Sequence, residues 1–281
     1  MHNTDRLRTL FVIARPRFWL YTAGPFLLGF AARAQSIEAF TPFTFWIYFI
    51  IFLIPANSFI YAFNDYFDVE TDAKNEKKKT HERAMGESER AMYRTIIMWS
   101  CLVLVVSSLF IPTIGKLGMG LFIFLGWAYS APPIRLKTKP FADFMSNMLY
   151  VMPALVGLSL GGSDAPLGYA VWIALISGAF WTWSMHLFSA VPDIEADREV
   201  GVMTTAVRLG LVKSLLLCAF LWFLSAYGAS RLHPVLWIGY VYPLVALGVL
   251  WYRDHIHRAY WLFPYLNALF GAILFFLIVL K

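Results

Sequence analysis

Charged residues are scarce: Asp, Glu, Lys and Arg make up 14% of the 281 residues, against 59% hydrophobic. That is too little polar surface to cover a soluble globule, and it excludes a disordered chain equally well. Cysteine is nearly absent. Cys101 and Cys218 both lie inside apolar runs, which excludes a disulfide scaffold and a cysteine zinc knuckle. There is no low-complexity segment and no linker, so residues 1–281 read as a single transmembrane domain. The N-terminus lacks a small-residue cleavage site after a short apolar core, and the first apolar run is expected to be retained. The net charge of +6 does not point to nucleic acid. The basic residues lie in short loops between apolar runs, where membrane topology explains them better.

Long apolar runs are abundant, and the mean hydropathy is +0.62. Nine runs approach the ~20 residues a bilayer requires. They are Pro16–Ala34, Pro42–Phe63, Tyr93–Ile111, Gly115–Ala131, Phe141–Gly161, Leu167–Val191, Leu211–Ala229, Pro234–Tyr252 and Tyr260–Leu280. The expected fold class is an all-α integral membrane protein of about nine transmembrane helices. With the N-terminus in the cytoplasm, 19 of the 23 Lys and Arg residues fall on the cytoplasmic side, as the positive-inside rule requires for a cell (inner) membrane protein.

Two acidic stretches interrupt this pattern, NDYFDVETD (Asn64 to Asp72) and DIEADRE (Asp193 to Glu199). Together they hold 8 of the 17 acidic residues. Asp68 and Asp72 are four apart, as are Asp193 and Asp197, and residues at that spacing share a helix face. Carboxylates clustered at membrane helix ends repel one another unless a cation lies between them. Oxygen ligands of this kind suit Mg²⁺, which typically arrives with a phosphate group. Asn64, Asp68, Asp72, Asp193 and Asp197 are therefore the candidate metal ligands and catalytic residues. Both stretches would face the cytoplasm, where a soluble diphosphate is found.

The surrounding residues extend this reading. Asn57, Tyr61, Asn64 and Asp68 step along one helix face, and a polar line entering a membrane helix should face the bundle interior. Asn57 fits equally a hydrogen bond to a neighbouring helix or a place in the site. His186 shares a face with Ala190, Asp193 and Asp197 and leaves the same two choices. Arg83, in the loop after the first stretch, is a candidate phosphate contact because guanidinium binds phosphate oxygens in bidentate fashion. The loop YSAPPIRLKTKP, Tyr129 to Pro140, is stiffened by Pro132 and Pro133 and presents Arg135 and Lys137 as a diphosphate clamp. Some aromatic rings could line a cavity that stabilises a carbocation.

The motif Asn64-x-x-x-Asp68-x-x-x-Asp72, the loop YSxPPxRLK with Tyr129, Arg135 and Lys137, and Asp193-x-x-x-Asp197 together resemble the UbiA superfamily of intramembrane prenyltransferases. One departure is Ala84 after Arg83, where many relatives carry Arg-Pro. The resemblance implies a helical bundle around a central cavity and Mg²⁺-dependent ionisation of an isoprenyl diphosphate. The allylic group would pass to a lipophilic acceptor from the bilayer, with Asn57, Tyr61, Tyr129 and His186 placed toward the acceptor. The strings RPRFWLYTAGP, IPANSFIYAFNDYFD and MHLFSAVPDIEADREVG are similar to the lycopene elongase branch. That branch prenylates an acyclic carotenoid from dimethylallyl diphosphate, and some members hydrate the product. An aromatic quinone precursor is the alternative acceptor. A cation-coupled transporter is disfavoured, because transporter acids sit near mid-membrane.

Overall fold

The computed structural model describes residues 10–34, 37–68, 89–162, 167–252 and 255–280, and every regular element among them is helical. In chain order the helices are α1 (Leu20–Ala34), α2 (Phe43–Leu53), α3 (Pro55–Phe67), α4 (Arg90–Ser108), α5 (Thr113–Ser130), α6 (Ala142–Met145), α7 (Met152–Leu160), α8 (Tyr169–Ala190), α9 (Ile194–Glu199), α10 (Thr205–Ser230), α11 (Val241–Trp251) and α12 (Ile256–Val279).

Among the described residues, seven helical runs are long and apolar enough to cross a membrane: Phe43–Phe67, Arg90–Ser108, Ala142–Leu160, Tyr169–Glu199, Thr205–Ser230, Pro234–Trp251 and Ile256–Val279. The protein is an all-α integral membrane protein, with seven such runs where nine were expected. The other two expected spans are helical but fall short. At 15 residues, α1 is brief against the ~20 a bilayer asks for. Lys116 and four glycines dilute the apolar character of the 18-residue α5.

The helices form two compact units. The first holds α1 to α5, α7 and the part of α12 from Asn267 onward; the second holds α6, α8 to α11 and α12 up to Leu266. Glycine lets the helices of the first unit approach closely. A Cβ on Gly29 of α1 would overlap the backbone of Ala154 in α7, and one on Gly157 of α7 would overlap the backbone of Phe26 in α1. Without a hydrophobic force between helices in lipid, such small-residue seams are how they gain packing contacts. Beside the seam, Phe30 and Phe45 pack at 4.7 Å and Phe26 and Phe52 at 5.3 Å.

The expected span Pro42–Phe63 is broken. Pro55 has no N–H and opens α3 at its first turn, with Ile54 at φ −113°, ψ −66°. The carbonyls left over at the break are claimed by side chains. Asn57 Nδ2 donates to the Phe52 and Leu53 carbonyls at 2.8 and 3.0 Å, and Thr22 Oγ1 of α1 donates to the Phe52 carbonyl at 2.6 Å. Asn57 Nδ2 also donates to Thr22 Oγ1 at 2.6 Å. Fully buried Asn57 thus makes the expected bond to a neighbouring helix.

The second unit is knit by small polar residues. Ser184 Oγ of α8 donates to the Cys218 carbonyl of α10 at 2.8 Å, and Ser225 Oγ of α10 to the Ser177 carbonyl of α8 at 2.8 Å. Phe188, Trp222, Tyr242 and Phe263 close its core, with ring centroids 5.0 to 5.8 Å apart. All four are buried against one another, so these rings are packing.

Candidate active site

In the first unit the acidic stretch ends α3. Asp68 is its C-cap residue, at φ −111°, ψ 8°, and is buried at 8% exposure. Asn64 lies one turn earlier, half-buried. Its Oδ1 accepts from Ser130 Oγ at 3.4 Å. Ser130 ends α5, next to half-buried Tyr129, so the structure brings the start of the YSAPPIRLK loop onto the first acidic stretch. Asp72 and Arg83 lie outside the described residues.

The same stretch holds a residue that motif reading passed over. Asp65, only 2% exposed, accepts from Arg15 at 2.8 Å. The Arg15 guanidinium also sits 4.6 Å from the centre of the Tyr61 ring, and the Phe18 ring packs on Tyr61 at 5.8 Å. Arg15 and Asp65 thus form an ion pair, with the Tyr61 ring against the guanidinium, that ties the chain before α1 to the last turn of α3. The signal was available: a carboxylate that enters an apolar run must face inward and find a partner.

In the second unit, Asp193 and Asp197 lie on and beside the short α9, both half-buried. The expectation that His186 shares their face requires a continuous helix. A 3-10 turn, Val191–Asp193, intervenes with Pro192 inside it. Three residues at 3-10 rather than α twist rotate the next helix by roughly 60°, which turns Asp193 and Asp197 relative to His186 by less than a quarter turn. His186 also lies within electrostatic reach of Asp143. The exposed Arg198–Glu195 contact, at 3.1 Å, contributes little at the surface.

Arg135 and Lys137 come just after a cis Pro132–Pro133 bond. Arg135 has φ 42° and caps the 3-10 turn Leu136–Thr138; its carbonyl accepts from Thr138 N at 3.1 Å and Thr138 Oγ1 at 3.0 Å. Among the described residues only Arg15, Arg135 and Phe141 combine positive φ with a side chain. Each such backbone costs on the order of 1–3 kcal/mol and persists where surroundings impose it. Two of the three are arginines: Arg15, paired with Asp65 of the first acidic stretch, and Arg135, itself a diphosphate-binding candidate.

Phe141 leads into a cluster of hydrogen bonds that has no local signal in the sequence. Asp143, 2% exposed, accepts from Thr205 N at 2.6 Å, from Thr205 Oγ1 at 2.5 Å and from Phe144 N at 2.8 Å. Phe141 N donates to Thr205 Oγ1 at 2.5 Å. One residue earlier, Thr204 Oγ1 caps α10 by accepting from Val207 N at 3.3 Å and donates to Asp197 Oδ2 at 3.4 Å.

No group of three or more His, Cys, Asp or Glu side chains among the described residues forms a ready-made metal cage. The candidate donors in the two acidic stretches are all oxygens of Asn and Asp, the ligand type of a hard cation.

Over its whole length the chain is similar to known proteins. It is 37% identical to a lycopene elongase/hydratase of Haloferax volcanii, covering 96% of this chain and 88% of that one. It is 36% identical to the lycopene elongase/hydratase of Halobacterium salinarum, covering 95% of both. Its fold matches a UbiA homologue from Archaeoglobus fulgidus solved with GPP and Mg²⁺, at TM-score 0.66 and 19% identity over 95% of this chain and 98% of that one. The same homologue was also solved with DMAPP and Mg²⁺. The model of the UbiA prenyltransferase family matches residues 22–279, so this chain belongs to that family and is a prenyltransferase.

Proposed function

We propose that the protein transfers a dimethylallyl group from its diphosphate to the end of an acyclic carotenoid such as lycopene, drawn from the bilayer. The observation that carries the acceptor is similarity along nearly the whole chain to lycopene elongase/hydratases. The donor and Mg²⁺ are supported by the ligands of the Archaeoglobus homologue and by the oxygen-donor chemistry of the two acidic stretches. The topology, with the N-terminus and both stretches cytoplasmic, is supported by the 19 of 23 basic residues on that side.

In this reading Asn64, Asp68, Asp72, Asp193 and Asp197 hold the metal. Mg²⁺, when bound, neutralises the charge that builds on the leaving diphosphate. Arg135 and Lys137 place further positive charge where that negative charge develops, with Arg83 in the same role. The allylic C–O bond breaks and its electron pair leaves with the diphosphate. A terminal alkene of the acceptor supplies the pair for the new C–C bond. The tertiary cation that results loses a proton, or it bonds a water molecule that then gives up a proton. An alkene acceptor needs no base to activate a phenol. Apolar surroundings keep water from the first cation.

The direct test is product analysis in membranes given dimethylallyl diphosphate with either lycopene or 4-hydroxybenzoate. The expected result is lycopene lengthened by isoprene units, and no aromatic product. Prenylated 4-hydroxybenzoate with lycopene untouched would transfer the assignment to an aromatic acceptor. The mass of the carotenoid product also reveals whether water has been added.

Arg135→Ala and Lys137→Ala should each raise the KM for the diphosphate by about 10- to 100-fold, the loss of one charged hydrogen bond of about 1.5–3 kcal/mol. The KM for the acceptor should stay within about twofold, since an apolar chain gains nothing from these cations. A change confined to the acceptor would rule out the clamp.

A further inference from the structure

We propose that Asp143, a carboxylate outside both acidic motifs, is a positioning residue that fixes Asp197 through Thr205 and Thr204. The inference rests on the reading of Asp197 as a metal ligand and adds what holds it in place.

The need for such a support is visible in α9. The helix has six residues and buries one of them, Ile194. Between its end and Thr204 the chain is half-buried or exposed throughout, and it turns at Gly201 with φ 73°. Packing alone therefore does little to hold Asp197. Hydrogen bonds restrain it: Val202 N donates to the Asp197 carbonyl at 2.8 Å, and Thr204 Oγ1 donates to Asp197 Oδ2 at 3.4 Å. The position of Thr204 is set by its neighbour. Thr205 is wholly buried, and both its N–H and its hydroxyl are held by the Asp143 carboxylate.

Asp143 is anchored in turn on its own side. Its backbone carbonyl accepts from Ser146 Oγ at 2.9 Å and from Asn147 Nδ2 at 3.0 Å, and its side chain accepts from Phe144 N at 2.8 Å. A buried carboxylate with this many donors is rigid, because breaking any one bond leaves charge poorly solvated. The guanidinium of Arg208, 5.9 Å from the centre of the Phe141 ring, closes a second link between the same two segments. The order of dependence is thus Asp143, Thr205, Thr204, Asp197. It is the arrangement by which partners outside the coordination shell orient a ligand and set metal affinity.

The test uses full-length protein in detergent. Mn²⁺ binding in the presence of inorganic diphosphate is monitored by electron paramagnetic resonance, and the Mg²⁺ concentration for half-maximal turnover is measured beside it. Thr205→Val removes the hydroxyl and keeps the shape; Asp143→Asn removes the charge and keeps the shape. Both should weaken Mn²⁺ binding and raise the Mg²⁺ requirement by about 10- to 100-fold, the usual effect of losing such a partner. Thr205→Ser, which retains the hydroxyl, should stay close to the parent. Unchanged metal binding in folded Thr205→Val and Asp143→Asn would overturn the inference, even if the melting temperature falls. If neither variant folds, Thr204→Val decides, since it removes the link to Asp197, together with the cap on Val207 N, and leaves Asp143 and Thr205 in place: weakened Mn²⁺ binding supports the chain of contacts and unchanged binding overturns it. Asp197→Ala separates the two layers. Lost metal binding there, with none lost in the support variants, rejects the positioning role alone; retained binding in Asp197→Ala rejects the ligand reading beneath it.

Discussion

Asp68→Ala and Asp193→Ala should each lower prenyl transfer by about three orders of magnitude or more while the protein stays folded in the membrane. In the proposed mechanism the step they would serve separates an allylic cation from a diphosphate, and electrostatic stabilisation of the leaving group by a bound metal contributes several kcal/mol. At about 1.4 kcal/mol per tenfold in rate, losing that contribution accounts for the size of the effect. Stability should be largely spared because both sit at helix ends and neither belongs to the apolar core: Asp68, though buried, is the C-cap residue of α3 and Asp193 precedes the short α9. The measurement is turnover at saturating Mg²⁺ alongside a melting curve in detergent. Near-normal turnover in either variant would remove that stretch from the site.

How legible each feature was in the sequence depends on its physics. The membrane class is written in composition, because a bilayer imposes length and apolarity on every spanning segment. The acidic motifs are visible because charge is rare beside them. Helix breaks were harder. Pro55 was read inside one unbroken span, Pro42–Phe63, and what makes the break at Ile54 tolerable is Asn57 and Thr22 supplying hydrogen bonds from two different helices. No local pattern encodes that pairing. The turn at Val191–Asp193 likewise had no place in a spacing argument that ran one α-helix from His186 to Asp197. The least legible residues were the supporting ones. Asp65 was read as one acid among eight, and Asp143 as part of an apolar span. Their roles depend on Arg15 and on Thr205, partners 50 and 62 residues away in sequence.

Arg15→Met should be among the most destabilising single changes in the first unit, at about 3–5 kcal/mol, the range for stripping one partner from a buried ion pair. The asymmetry of burial sets the order of effects. Asp65 is 2% exposed and Arg15 13%, so a carboxylate left behind has little water to turn to, while an abandoned guanidinium has some. Asp65→Asn should therefore be milder than Arg15→Met. Arg15→Met also uncovers one side of the Tyr61 ring, over which the guanidinium lies at 4.6 Å, a contact that contributes about 0.5–2 kcal/mol. The double variant Arg15→Met/Asp65→Asn should be less harmful than the two singles added together, with a coupling of roughly 1–3 kcal/mol, because the stranded carboxylate is no longer there. The effect should reach the site as well. Asp65 lies between Asn64 and Asp68 on the last turn of α3, so loosening it frees the backbone that carries both. Thermal unfolding of the three variants in detergent gives the coupling directly. Strict additivity would mean that the 2.8 Å contact carries no net energy and that other groups hold the end of α3.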